Sequence, residues 1–298
     1  MLDIVPQLLI NGLIAGAIYS LAAIGLNLVF GTLGFINFAY GDMIMVGSYL
    51  FYVFLVLMKM QWVAAAVLTV ISLIIVSFII ERVTFRPIRD KSPITALIIS
   101  VGVAFALRSI IEIIFKGNLK SYTNEIQEGH SLLNGLVRIT DNQIMIIITS
   151  IVCLIALFAF LKYTKTGKAI RAVADSRQVS EIIGINVNKH ILIVFALSAV
   201  LASIAGILLG YENYLQPTRG VGIGIKAFSA IILGGVGSLP GGLIGGFFIG
   251  FAENLIPGLG LVSTGYKDSI AFFILIAVML IRPRGIFGIS KSEDIRKE

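Results

Sequence analysis

Apolar stretches long enough to cross a bilayer follow one another along almost the whole chain. They cover residues 7–30, 36–58, 62–80, 94–115, 143–161, 191–211 and 269–281, with two shorter ones at 223–239 and 241–256. About 20 apolar residues in a helix span a hydrocarbon core roughly 30 Å thick. Inside lipid every backbone N–H and C=O must find a partner within the protein, which leaves helices or a closed barrel. A barrel would show alternating segments of about 10 residues, and none occur. Hydrophobic residues make up 57% of the chain and charged residues 13%, against about 25% charged in soluble domains. So few polar groups could not cover the surface of this protein in water. The expectation is one all-α, polytopic membrane domain over 1–298, with about nine membrane-crossing or re-entrant helical segments.

The basic residues orient these segments. One cluster is Arg82, Arg86, Arg89 and Lys91; a second is Lys162, Lys165, Lys168, Arg171, Arg177 and Lys189; the third is Arg282, Arg284, Lys291, Arg296 and Lys297. Together they hold 15 of the 23 Lys and Arg residues. Short loops rich in Lys and Arg stay in the cytosol. The loops at 162–190 and the tail at 282–298 are therefore expected inside. The loop 116–142 mixes Glu125, Glu128 and Asp141 with Lys116, Lys120 and Arg138 and is expected outside. Three crossings between the second cluster and the tail satisfy this rule, giving an external N-terminus and nine crossings. A re-entrant hairpin in place of the two short spans satisfies it as well. The formal net charge of +7 follows membrane topology and does not point to nucleic acid. No Lys or Arg precedes Lys59, so a cleavable signal peptide is not expected. Cys153, the single cysteine, sits in an apolar run, where packing is its expected role.

The two short segments flank Gly234-Gly235-Val236-Gly237-Ser238-Leu239-Pro240-Gly241-Gly242, which interrupts a helix several times. Irregular backbone at membrane depth survives only when buried in protein or lining a wet cavity. Gly31, Gly34 and Gly47 match Gly234, Gly237 and Gly250 at a constant offset of 203. Glycine-interrupted segments in two halves of a chain are a pointer to an internal repeat and to a transport path.

Enzyme signatures are missing. Thr166-Gly167-Lys168-Ala169 lacks the glycine spacing and the hydroxyl of a phosphate-binding loop, so no ATP site of its own is expected. His130 and His190 lie far apart in loops, and no Cys/His cluster suggests a metal. Polar residues within spans remain: Asn11, Asn27, Asn37, Asp42, Arg108, Glu112, Ser198, Glu253 and Asn254. Ionisable groups there are costly and are functional candidates by default. Arg108 and Glu112 stand four apart, as a helix-face ion pair at an interface would. Glu253 and Asn254 read the same way, near an outer end. Asp42, about two turns into its span behind Gly41, fits a cavity, the polar groups of a broken backbone, or placement at the interface. Asn27 and Asn37 flank the break at Gly31–Gly34 and either cap freed backbone groups or line a solute path. Asn27, Asn37, Asp42, Gly234, Gly235, Gly237 and Ser238 are the candidates for a translocation path. No charge pairs across the interior are evident.

The basic loop carries its own pattern. Over 168–183, apolar Ala169, Ala172, Val173, Val179 and Ile183 oppose polar Lys168, Arg171, Asp175 and Glu181, with Gly184 as a C-cap. This predicts one short amphipathic helix at the cytosolic surface, either adsorbed on lipid headgroups or docked on a soluble partner.

Several motifs resemble one family. Gly25-Leu26-Asn27-Leu28-Val29-Phe30-Gly31 followed by Gly34-Phe35-Ile36-Asn37-Phe38-Ala39-Tyr40-Gly41-Asp42 is similar to the N-terminal signature of permease subunits of branched-chain amino acid ABC importers, of the LivH kind. That family commonly has His and Glu where Tyr40 and Asp42 stand. Arg86-Pro87-Ile88-Arg89 resembles its first cytosolic loop, and Thr166–Ala172 with Gly184-Ile185 its coupling loop. Lys226-Ala227-Phe228 with Leu233–Gly241 resembles its C-terminal signature, and 282–288 its closing motif. The resemblance runs from about Gly12 to Gly288. It implies a multi-pass subunit of the bacterial cytoplasmic (inner) membrane that is not an enzyme. Its partners would be a second, related permease, two cytosolic ATPases and an external solute-binding protein. No cofactor would sit in this chain, ATP being bound by the partner subunits. Gly167, Lys168, Arg171, Ala172, Asp175, Glu181 and Gly184 would form the ATPase-coupling element. Related permeases for urea, short amides or a sugar share the glycine-rich signatures. A stand-alone secondary transporter would leave the docking loop without a purpose, and an intramembrane enzyme would lack its motifs.

Overall fold

The structure is a computed structural model that describes residues 4–89, 91–123, 129–132, 136–282 and 285–287. Glu125 and Glu128 of the external loop, and Pro283, Arg284, Gly288, Lys291, Arg296 and Lys297 of the tail, lie outside the described residues. Eleven helices and one hairpin follow in order: α1 (Val5–Leu33), α2 (Tyr40–Tyr52), α3 (Trp62–Ile80), α4 (Pro93–Phe115), β1 (Gly129–Leu132), β2 (Val137–Thr140), α5 (Asp141–Tyr163), α6 (Lys165–Asp175), α7 (Arg177–Ile182), α8 (Val187–Glu212), α9 (Arg219–Gly234), α10 (Leu239–Gly258) and α11 (Lys267–Ile281). Single π-helical turns extend α2 to Leu57 and α3 to Phe85. The strands pair antiparallel, Gly129 opposite Thr140 and Leu132 opposite Val137.

Helix ends fall where side chains can satisfy the free backbone N–H groups of a first turn. Ser92 caps α4 ahead of Pro93. Thr140 and Gln143 close a reciprocal capping box on α5, and Asn186 caps α8. Ser238 accepts from the Gly241 N–H to start α10. Helix α1 stops at Gly34, which is left-handed at φ 75° and returns its N–H to Phe30 O.

Apolar composition does not say which helix is inside, because nearly every face is apolar. Small residues do, by letting backbones approach. Gly12 and Gly16 of α1 lie against Phe251, Phe247 and Gly250 of α10; Gly245 lies against Ala230 of α9; Gly206 of α8 lies against Ile44 and Ser48 of α2. A Cβ at Gly16 would stand 2.9 Å from the Phe247 Cα. Helices α1 and α8 are mostly buried, whereas α3, α4, α5 and α11 present outward apolar faces such as Ile113, Ile155 and Leu280.

Interhelical contacts sort the loops to two ends. At one end Arg177 Nε donates to Thr32 O (2.6 Å), Arg89 Nη1 donates to Asn188 Oδ1 (2.6 Å), and Ile286 N donates to Leu233 O (2.8 Å). Among the described residues this end collects the first two basic clusters and Arg282, the distribution expected of a cytosolic face. At the other, Gln7 Nε2 donates to Arg138 O (3.1 Å), the Lys120 and Leu215 backbones bridge, and Tyr122 Oη donates to Ser48 O (3.0 Å). Burial raises the Tyr122 hydroxyl well above the ordinary tyrosine pKa, so it stays a donor. Eight of the described segments are long and apolar enough to cross a membrane. Helix α9 is shorter, with 16 residues, about 24 Å of helix.

One expectation changes. The amphipathic helix at 168–183 is two helices, α6 and α7, at the break of Ser176 (φ −155°, ψ 116°), whose Oγ caps the Val179 N–H at 3.3 Å. A serine that caps a new helix offers the backbone a better partner than continuing the old one.

Candidate functional site

The interrupted segment at 234–242 is a tight cytosolic turn between α9 and α10. Gly235 and Gly237 take positive φ (102° and 86°), a conformation that costs glycine nothing. Asn27 holds the turn from α1. Its Nδ2 donates to Ser238 O at 2.8 Å and its Oδ1 accepts from the Gly237 N–H at 2.9 Å. Asn27, Gly237 and Ser238 therefore meet in one place, with Gly234 packed on Gly241 beside them. Gly34 and Gly237, partners at the 203-residue offset, share the left-handed conformation at a helix boundary. The flanking helices differ, α1 having 29 residues and α9 having 16.

Asn37 and Asp42 stand apart from that turn. Asn37 is buried and its Oδ1 accepts from the Ala39 N–H at 3.1 Å, starting α2. Asp42 takes both oxygens to Arg108 of α4, whose Nε and Nη2 each donate at 3.1 Å. This corrects the sequence reading of Arg108, which pairs across helices and not with Glu112 on its own. Two parallel N–H···O bonds give the strongest geometry for such a pair. Close packing of Gly41 on Gly220 and Gly224 brings α9 to the same place.

A second charged cluster was missed by sequence reasoning. Lys226 of α9 is 7% exposed. Its Nζ donates to Glu253 Oε1 of α10 (2.6 Å), Asp268 Oδ1 of α11 (2.7 Å) and Tyr19 Oη of α1 (3.1 Å). An ammonium has three donors, and all three are engaged. Glu253 is not at an interface: it is 2% exposed, buried beside Lys226. The signal available in sequence was a lysine inside an apolar segment, which is expensive unless paired.

These groups form the floor of a cavity of about 750 Å³ that opens at the external end between α1, α8, α9, α10 and α11. Its charged lining is Glu212, Arg219, Lys226, Glu253, Lys267 and Asp268, three carboxylates and three cations. Helices α9 and α11 begin within its wall, with Arg219 and Lys267 as their first residues. Among the described residues no group of three or more His, Cys, Asp or Glu side chains could hold a metal ion.

The expected coupling residues lie together at the cytosolic end. Lys168, Arg171, Asp175, Glu181 and Gly184 are exposed, Ala172 is half-buried and Gly167 is buried. Thr164 caps α6 through the Gly167 N–H at 2.9 Å, and Gly167 packs on the backbone of Phe160 and Leu161. Ile170 and Val173 face inward, while Val179, Ile182 and Ile183 of the α7 segment are 56%, 83% and 64% exposed. That leaves an apolar ridge bordered by charge on the cytosolic surface.

Comparison with known proteins accounts for this architecture. The structure shares its fold with a chain of PsaBC from Streptococcus pneumoniae in complex with Fab, at a TM-score of 0.51 and 13% identity, covering 92% of this chain and 91% of that one. The high-affinity branched-chain amino acid transport system permease protein LivH of Escherichia coli (strain K12) is 36% identical over 97% of both chains. The corresponding permease protein BraD of Pseudomonas aeruginosa is 35% identical over 97% of both. The family described as branched-chain amino acid transport system / permease component matches residues 8–279. Eight helices long and apolar enough to cross a membrane among the described residues, and this match over nearly the whole length, make the chain a multi-pass membrane protein that belongs to the family of branched-chain amino acid transport permease components.

Proposed function

We propose that this chain is the membrane-spanning subunit of an ATP-driven importer that carries branched-chain amino acids inward across the cytoplasmic membrane. The observation that carries this reading is the similarity to permeases of that description over 97% of both chains. The chain would work beside a second permease, two cytosolic ATPases and an external solute-binding protein, with ATP held by the ATPases. The loop at 162–190 would dock on an ATPase through the ridge of α6 and α7, using Gly167, Lys168, Arg171, Ala172, Asp175, Glu181 and Gly184. ATP binding would close the ATPase pair and rock the permeases against each other, alternating access to the path between them.

The test is uptake of radiolabelled L-leucine by membrane vesicles that hold the assembled transporter and ATP. Replacing Arg171, Asp175 and Glu181 together by alanine is expected to abolish uptake while the chain still inserts. These side chains are exposed, so their loss leaves the packed interior intact. Unimpaired uptake would remove the coupling assignment. Uptake of a sugar or urea in place of leucine would move the substrate to another branch of the permeases.

A further inference from the structure

We infer that a groove between α3 and α5 binds one acyl chain of a phospholipid in the outer half of the membrane, whatever solute the protein carries. Helices α3 and α5 both pack on α8 and leave the groove between them. One face of α3 forms a wall, with Trp62, Ala66, Val67, Val70 and Ile71. Ile207 and Leu208 of α8 are the buried floor, and Thr149 of α5 stands opposite. Val67 and Ile71 are exposed, so the groove lies open along its side to the surrounding hydrocarbon. Its side chains carry two polar groups, the Thr149 hydroxyl and the Trp62 indole N–H, and the indole already donates to the Tyr211 hydroxyl. Tyr211 packs on Tyr122, which puts the head of the groove at the end opposite the basic clusters.

The dimensions choose the occupant. The groove encloses about 310 Å³. Trp62 to Ile71 is about 13.5 Å of helix, so the mean cross-section is roughly 23 Å² and the width about 5 Å. A helix with its side chains is about 10–12 Å across and cannot enter. A single hydrocarbon chain, whose carbons meet their neighbours at about 3.5–4.0 Å, fills it. A polar solute would find no partners for its charges there. Lipid tails are as apolar as the groove, so a tail gains nothing by leaving the bilayer for it. What holds the tail is contact with three helices at once, and a charge at its head. Lys59, three residues ahead of Trp62, is exposed in the turn that leads into α3. Its ammonium suits the phosphate of a lipid whose tail runs down the groove, and Trp62 marks the level at which indoles collect, the membrane–water boundary.

Trp62 is the chain's only tryptophan, so its fluorescence reports the head of the groove. The full chain in phosphatidylcholine vesicles is titrated with phosphatidylglycerol brominated near the headgroup end of its tails, which quenches an indole on contact. Val70→Phe and Thr149→Phe fill the groove from opposite walls. Both native side chains are half-buried at the groove, and Val70 lies about 12 Å along α3 from Trp62, so the added rings enter open space and leave the outer face of the indole as it was. Each variant is expected to raise the fraction of brominated lipid needed for half-quenching by about fivefold. Lys59→Gln is expected to raise it by about threefold. Equal curves for the natural chain and both groove variants would overturn the site, Trp62 then meeting only passing lipid. An unchanged curve for Lys59→Gln would overturn the headgroup contact and with it the choice of a phospholipid. The titration is repeated with a second permease subunit whose tryptophans are replaced by phenylalanine, and the curve is expected to stay. Loss of quenching there would give the groove to that subunit and overturn the lipid as its occupant.

Discussion

Two ion clusters lie inside the membrane body, and they are finished to different degrees. Asp42 and Arg108 close on each other, both carboxylate oxygens matched by guanidinium N–H groups. Lys226 is equally closed as a donor, to Glu253, Asp268 and Tyr19, but one of these partners, Asp268, is 82% exposed. The first cluster joins α2 to α4 and needs nothing more. The second joins α1, α9, α10 and α11 and still faces a cavity. Two buried ion clusters in one membrane body thus differ in how many helices they tie together and in whether one of their members meets open space.

The comparison can be broken by removing one member of each. Lys226→Met leaves two carboxylates without their cation and is expected to cost the most, about 3–5 kcal/mol, read as a lowered unfolding midpoint in detergent. Arg108→Met leaves only Asp42 stranded and is expected to cost about 2–3 kcal/mol. The double variant Asp42→Asn/Arg108→Met should regain part of that loss, since no charge is left unpaired. A double variant no better than Arg108→Met would show that Arg108 acts through packing, its guanidinium lying 5.4 Å from the Phe105 ring centre. Asn27→Ala removes both bonds to the turn at Gly237 and Ser238 and should cost about 1–3 kcal/mol, with faster proteolysis at that turn. Thr164→Ala, in the cytosolic loop and far from either cluster, loses one cap and about 1 kcal/mol; equal losses at Thr164 and Asn27 would mean that the turn at 235–238 is held by other contacts.

The spans were legible because hydrocarbon thickness demands length and apolarity together, and no other feature of this chain mimics that. The long apolar spans and the helix break at the glycines both follow from local signals. Which helix packs on which was not legible. Faces such as those of α3 and α8 are equally apolar, so the choice rests on small residues like Gly206 and on contacts made far along the chain. The partner of Arg108 shows the same limit: spacing offered Glu112, four residues away, and the fold supplied Asp42 from another helix. The break in the basic loop was readable at Ser176, a capping residue, and was overlooked because the apolar spacing ran on across it. Lys226 was hidden in a glycine-rich segment whose interruptions drew attention to the backbone.

Arg177 fastens the cytosolic loop to Thr32 O at the end of α1, and Tyr19, on the same uninterrupted helix, touches Lys226 at the cavity floor. The two contacts are about 20 Å apart along one rod. A rod of this kind transmits position: the loop cannot shift along the membrane normal without either carrying the cavity floor with it or parting from α1. Spin labels at the loop and the cavity would then move in step or not at all, which makes the distance between them a ruler for whether the grip holds during a transport cycle.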